Sequence, residues 1–205
     1  MDWSRIVPGT ALVLVLAAPA AAVGIGQQAP HFTLPDWDGR ETTFLETRDQ
    51  VTVIDFWASW CAPCAPMLPA LDDLAQRLDG RLRVLAINID QSRARADEFL
   101  GDHLPSRSSH LILLRDGAAN VLARYGAAGM PAVFVVDSGG TVRFTDAGYS
   151  REQFAALERA VRHLAAGPRG AAGASGPSRA PDPAAASNCR SAYAGATFRA
   201  TEVCS

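Results

Sequence analysis

FWASWCAPCAPMLPAL (Phe56–Leu71) sets two cysteines three positions apart, beside a tryptophan, where an apolar run gives way to helical spacing. Upstream, VTVIDFWA (Val51–Ala58) is almost continuously apolar and β-rich, the pattern of a strand buried on both faces. Downstream, Met67, Leu71, Leu74 and Leu78 share one helical face, which predicts a helix over Cys61–Leu78 with a kink at Pro69. LRVLAINI (Leu82–Ile89) reads as a second buried strand and completes a βαβ unit. A cysteine pair at such a junction admits three readings: a structural staple, half of a metal site, or a redox catalyst.

The remaining pattern predicts an α/β fold, with a mixed sheet between helices. Short helices are expected over Arg93–Leu100 and Ala118–Tyr125, and a short strand or hairpin around Asp38-Gly39 in the leading segment Gly26–Glu46. AVFVVD and TVRFTD read as strands joined at Ser138-Gly139-Gly140, a hairpin signal. Ser150 and Gln153 form a capping box for a last helix, whose apolar stripe is Phe154, Leu157, Val161 and Leu164.

A dithiol catalyst needs one ionised thiol and a second close enough to resolve a mixed disulfide. A helix N-terminus supplies the first, because its dipole and free amide N–H groups stabilise a thiolate. Cys61 falls there, and the two-residue spacer puts Cys64 one turn further in, more buried and able to attack once a mixed disulfide has formed. Pro63 suits a first helical turn, where its missing N–H would have no partner. Asp55 lies inside the apolar strand, six residues before Cys61. A lone carboxyl there is costly unless paired, and burial raises its pKa toward that of a useful proton acceptor. Its bland alternative is an aspartate satisfied by hydrogen bonds alone.

The competing readings of the pair are weaker. A structural disulfide across two residues closes a tiny loop and gains little stability. A zinc knuckle needs a second pair of similar spacing, but Cys189 and Cys204 have fourteen residues between them, and His31, His103, His110 and His163 are scattered. The redox reading requires no metal and no cofactor. A soft-metal alternative would use Met67 and Met130 beside the pair as ligands for cuprous copper, against simple packing around a groove. A redox-inert peptide-binding module is a third reading.

The chain has 205 residues and a net charge of −2, with no basic cluster that would grip phosphates, so no nucleic-acid partner is expected. Arg5 precedes the apolar run ALVLVLAAPAAAV (Ala11–Val23), with Asp2 offsetting its charge and Ala20-Ala21-Ala22 offering a small-residue cleavage pattern. The run is shorter than the ~20 apolar residues of a spanning helix, which favours a cleaved signal over residues 1–23 above an uncleaved membrane anchor. Either places the domain (24–166) outside the cytoplasm, in a periplasmic or similar compartment where disulfides persist. Eighteen of the 21 residues from Gly167 to Ser187 are Gly, Ala, Pro or Ser, which reads as a linker. The tail, 188–205, is too small to hold a fold by burial, so Cys189 and Cys204 are expected to form a structural disulfide.

VTVIDFWASWCAPC resembles the active-site strand and helix of thioredoxin, and LRVLAINIDQ its next strand. YGAAGMPAVFVVDSGGTV is similar to the segment that carries thioredoxin's cis-proline, here Pro131. The leading APHFTLPDWDG and extra residues over about Arg93–Ala118 resemble the exported TlpA/ResA branch of that family. The resemblance implies that Cys61 attacks, Cys64 resolves, and Pro131 shapes a substrate groove with Trp60, Pro63 and Met130. It also implies client protein disulfides as partners and, for a reductase in an oxidising compartment, a membrane electron donor. Met67 stands where many members of the branch carry a glutamate and Ala65 where a basic residue often follows, while Asp55 matches thioredoxin itself. The spacer Ala62-Pro63 lacks the histidine of strongly oxidising relatives, so the potential is expected nearer thioredoxin's, roughly −270 mV, than the oxidases' ~−120 mV.

Overall fold

The chain order βαβ with short connections predicts a parallel pair with its helix packed on one face, and both crossovers of this sheet follow that rule. The structure is a computed structural model that describes residues 22–44 and 50–167. Its elements are β1 (Thr33–Pro35), β2 (Glu41–Thr43), β3 (Val51–Trp57), α1 (Cys64–Arg77), β4 (Leu82–Asn88), α2 (Arg93–His103), β5 (Leu111–Arg115), α3 (Asn120–Tyr125), β6 (Ala132–Val136), β7 (Val142–Ala147) and α4 (Arg151–Ala165). The main sheet has the order β5-β4-β3-β6-β7; β3, β4 and β5 are parallel, and β6 and β7 run antiparallel to β3 and to each other. This is the expected α/β architecture.

Every residue of β3 is buried, as its unbroken apolar run requires. Alternation sends Val53 and Trp57 to the face covered by α1, α2 and α4, where Leu68, Leu71, Leu74, Phe99, Leu157 and Val161 pack. Ile54 and Phe56 point the other way, into a cluster with Phe32, Phe44, Tyr125 and Phe134. The Tyr125 ring packs edge-on against Phe56 and Phe134, and its hydroxyl donates to the Pro30 carbonyl at 3.0 Å.

Three expectations need correction. The helix begins at Cys64, with Pro63 as its N-cap, so Cys61 lies in the turn before α1 and not within it. Residues Arg93–Ala118 hold a strand, β5, besides the expected helix; its short apolar run LILL has no alternation to mark it, because both of its faces are covered. The capping box is half present: Ser150 Oγ accepts from the Gln153 N–H at 3.1 Å, while the Gln153 amide reaches Asp146 and the Ala147 carbonyl instead. The hairpin at Asp38-Gly39 and the β6–β7 hairpin are as expected.

Residues from Val23 onward are tied into the domain. The Val23 N–H donates to the Tyr125 carbonyl at 3.1 Å and the Gly26 N–H to the Val142 carbonyl at 2.8 Å. The first contact depends on Gly126, the left-handed C-cap of α3 (φ +62°), where a Cβ would collide with the Ala22 backbone. Gly126→Ala should therefore cost about 1 kcal/mol or more of stability, read as a lower denaturation midpoint with an unchanged slope. The apolar leader, the segment beyond Gly167 and the tail cysteines lie outside the described residues.

Candidate active site

The C-terminal end of β3 delivers the chain to the cysteine turn. After Trp57, the Cys61 N–H donates to the Ala58 carbonyl and the Cys64 N–H to the Cys61 carbonyl, each at 3.0 Å. Two successive tight turns thus bring the cysteines together, and they form a disulfide with Cα atoms 5.4 Å apart. The first thiol is less open than expected: Cys61 is 4% exposed and Cys64 fully buried in this oxidised form. Trp60, Ala62 and Pro63 are the exposed residues of the turn, with Trp60 64% exposed.

Sheet register brings Pro131 to the same place. Ala132 pairs with Phe56, so Pro131 falls just beyond the strand, level with the end of β3. The Met130–Pro131 bond is cis, as the resemblance implied. Pro131 is buried and Met130 partly exposed.

Asp55 sits between Val53 and Trp57 on the α1 face of β3, paired in register with Ala86 and Val133. It is fully buried, and neither carboxyl oxygen has a hydrogen-bond partner. No protein group among the described residues supplies the hydrogen bonds of that bland alternative. Burial raises its pKa well above the ordinary value, since nothing nearby compensates an ionised form. An ionised carboxylate without a donor is disfavoured in an apolar interior, so this group keeps its proton to higher pH than an exposed carboxyl.

Trp57 stands at the centre of an aromatic column beneath the turn. Its ring stacks between Trp37 at 6.2 Å and Phe99 at 5.4 Å, and Phe99 continues to His103 at 4.6 Å. Trp37 donates its indole N–H to Asp97 at 2.7 Å and lies under Arg93. The column docks α2 against the redox turn.

Met67 is buried against Val133, Tyr149, Phe154 and Leu157, a packing position on the inner face of α1. Among the described residues no group of three His, Cys, Asp or Glu side chains is placed to hold a metal. One part of the site was not anticipated from sequence. Asp90, just past β4, accepts from the Ser59 N–H (2.7 Å), the Ser59 hydroxyl (2.8 Å) and the Asn88 amide (2.7 Å). The available signal was the polar residues Asn88, Asp90 and Gln91 at the carboxyl end of a parallel strand, where open α/β sheets place functional groups.

Fold and cysteine pair together define the class: a thioredoxin-fold thiol–disulfide oxidoreductase. The chain belongs to the AhpC/TSA family, whose model matches residues 25–145. It is 27% identical over 155 residues to the thiol-disulfide oxidoreductase ResA of Geobacillus thermodenitrificans, spanning 68% of this chain and 85% of that protein. Bacillus subtilis thioredoxin is 33% identical over 72 residues, spanning 35% of this chain and 65% of that one. Among solved structures, a Chlorobium tepidum protein described as a thiol:disulfide interchange protein, DsbE, superposes with a TM-score of 0.64 at 27% identity, covering 70% of this chain and 99% of that one.

The Asp55 carboxyl has a consequence for stability. Its folded pKa lies above the unfolded value of about 4, so over the window between them the fold keeps a proton that the unfolded chain has released. Stability from this group is full below about pH 4 and declines as pH climbs toward the raised value. Thermal unfolding of the oxidised protein should show Asp55→Asn gaining on the wild type as pH rises from 4 to 8. Parallel curves would mean that the carboxyl titrates alike in both states.

Proposed function

We propose that this chain is an exported reductase of protein disulfides, with Cys61 as the attacking thiol and Cys64 as the resolving one. The observation that carries it is the convergence, at one end of the sheet, of the Cys61–Cys64 pair, an unpartnered buried Asp55 and cis-Pro131. The Cys61 thiolate attacks one sulfur of a client disulfide, forming a mixed disulfide and releasing the client's other sulfur as a thiolate. The ionised form of Asp55 takes the Cys64 proton, and the Cys64 thiolate attacks the Cys61 sulfur and regenerates the enzyme disulfide. The client's second sulfur leaves as a thiolate that recovers the proton held by Asp55. Two electrons pass from enzyme to client. A carboxyl with a raised pKa suits this transfer, because burial narrows the gap in proton affinity between carboxyl and thiol.

The client backbone would lie across Pro131, flanked by Met130, Pro63 and the exposed Trp60. The Ala62-Pro63 spacer adds no cation to stabilise the Cys61 thiolate, which supports the reducing direction. Export, and with it an electron donor in the membrane, rests on the apolar leader before Val23 and on the likeness to the TlpA/ResA branch. An uncleaved leader would itself tether the domain to the membrane. The Gly/Ala/Pro/Ser segment is read as a linker, and the tail as a small disulfide-closed appendage.

Insulin reduction with dithiothreitol as donor tests the mechanism. Cys61→Ala should abolish it, Cys64→Ala should accumulate mixed disulfides with clients, and Asp55→Ala should slow resolution about 10- to 100-fold. A measured potential above about −150 mV would make the protein an oxidase. Retained activity in Cys61→Ala would end the proposed mechanism.

The tail has its own test. Mass mapping of the oxidised full chain should find Cys189 joined to Cys204, a closure that removes roughly 3 kcal/mol of chain entropy from the open form. Truncation after Gly167 should leave insulin reduction intact. A cross-link from Cys61 to either tail cysteine would instead bring the tail into the electron path.

A further inference from the structure

Asp90 has a role that the thiol exchange just described does not use. Its carboxylate is 5% exposed and accepts three hydrogen bonds, two of them from Ser59. Asn88 completes the clamp by accepting the Asp90 N–H at 3.1 Å. The Ser59 amide lies inside the turn closed by the Cys61 N–H and the Ala58 carbonyl, so the clamp holds the peptide two residues before the nucleophile. None of the ion pairs among the described residues includes Asp90. Its three hydrogen bonds come from neutral donors.

Other charged groups surround this turn. Asp55 on β3 lies below it, uncharged while it holds its proton. Arg115 on β5 stands opposite Asn88 in register. Across Trp60, α2 contributes Arg95, Glu98, Asp102 and His103, which line an open cleft of about 430 Å³. Arg95 also lines a second cleft, of about 520 Å³, together with Asp90 and Trp60. The α2 groups are largely exposed and screened by water, whereas Asp90 is buried against the turn itself.

We propose that Asp90 is a positioning residue of the redox site: it ties down the turn that presents Cys61, and its buried negative charge disfavours the Cys61 thiolate. This rests on Cys61 being the attacking thiol. Reducing the Cys61–Cys64 disulfide takes two electrons, and one or two protons depending on whether Cys61 stays ionised. A neighbouring anion destabilises that ionised product, so it destabilises the reduced form and makes the couple a stronger reductant. Asp90 thus sets direction as well as geometry, acting opposite to the cations that make other dithiols oxidising.

The full chain is equilibrated in glutathione buffers of known ratio, and the Cys61–Cys64 peptide is scored by mass spectrometry. The pH dependence of iodoacetamide alkylation at Cys61 is followed in the same way. Asp90→Asn keeps the size and an acceptor but removes the charge. It should move the equilibrium roughly tenfold toward the dithiol, ~30 mV less reducing, and shift the Cys61 alkylation profile to lower pH. Asp90→Glu, which restores the charge, should return both toward wild type. If Asp90→Asn folds and leaves both readouts unchanged, Asp90 only braces the turn and the proposal fails. Should that variant not fold, Ser59→Ala decides, since it removes one neutralising hydrogen bond and keeps the charge. Its equilibrium should stay or move toward the disulfide, and a shift toward the dithiol would overturn the proposal. Failure of the underlying mechanism looks different: Cys64 would be alkylated before Cys61 in the wild-type chain.

Discussion

Strand β3 is hydrogen-bonded to a parallel neighbour on one side and an antiparallel one on the other, and the site exists because of that arrangement. The parallel partner, β4, ends where β3 ends and delivers Asn88 and Asp90 there. The antiparallel partner, β6, begins at that same level and delivers Pro131. Were β6 parallel, Pro131 would lie at the opposite rim, about 20 Å away along a seven-residue strand. Cysteine turn, proline and acidic clamp share one rim through sheet register alone, with no long loop needed to gather them.

The same strand accepts an unfavourable residue. Six of its seven side chains are neutral and pack on both faces, while Asp55 is buried with both oxygens unpaired. Local rules of folding are broken at functional sites and compensated elsewhere. Here the compensation is adjacent: the aromatic column through Trp57 on one face and the Phe56–Tyr125–Phe134 cluster on the other. Full burial in this surround holds the proton affinity of the carboxyl high. The two aspartates of the site therefore differ by environment. Asp55 is buried without a protein donor, which raises its proton affinity, whereas Asp90 is wrapped in donors.

The fold was legible wherever hydrophobic pattern and chain order agreed. The continuous run at Val51–Trp57, the heptad-like face of α1 and the hairpin glycines each carry a period or a turn requirement that sequence displays directly. Strand β5 was hidden because burial on both faces erases alternation, and LILL alone has no period. The onset of α1 was placed three residues early, since apolar spacing does not report which amide first enters the helical ladder. Cys61, Cys64, Asp55 and Pro131 were legible as chemistry or as likeness. Asp90 was marked only by its place after a parallel strand, because its contact with Ser59 spans 31 residues and no local motif encodes it.

Residues 93–115 enlarge the sheet at its margin, adding α2 and β5 outside β4 without separating any pair of strands that builds the redox rim. They join the domain through the β4–β5 pairing, the Ser108–Asp72 hydrogen bonds and core residues such as Ala96 and Leu100. They reach the redox turn through the Trp37–Trp57–Phe99 column and the clefts beside Trp60. The redox rim depends on the register of β3 with β4 and β6, which α2 does not supply. Substitutions on the exposed side of α2 therefore alter the clefts beside Trp60 while that register stays fixed.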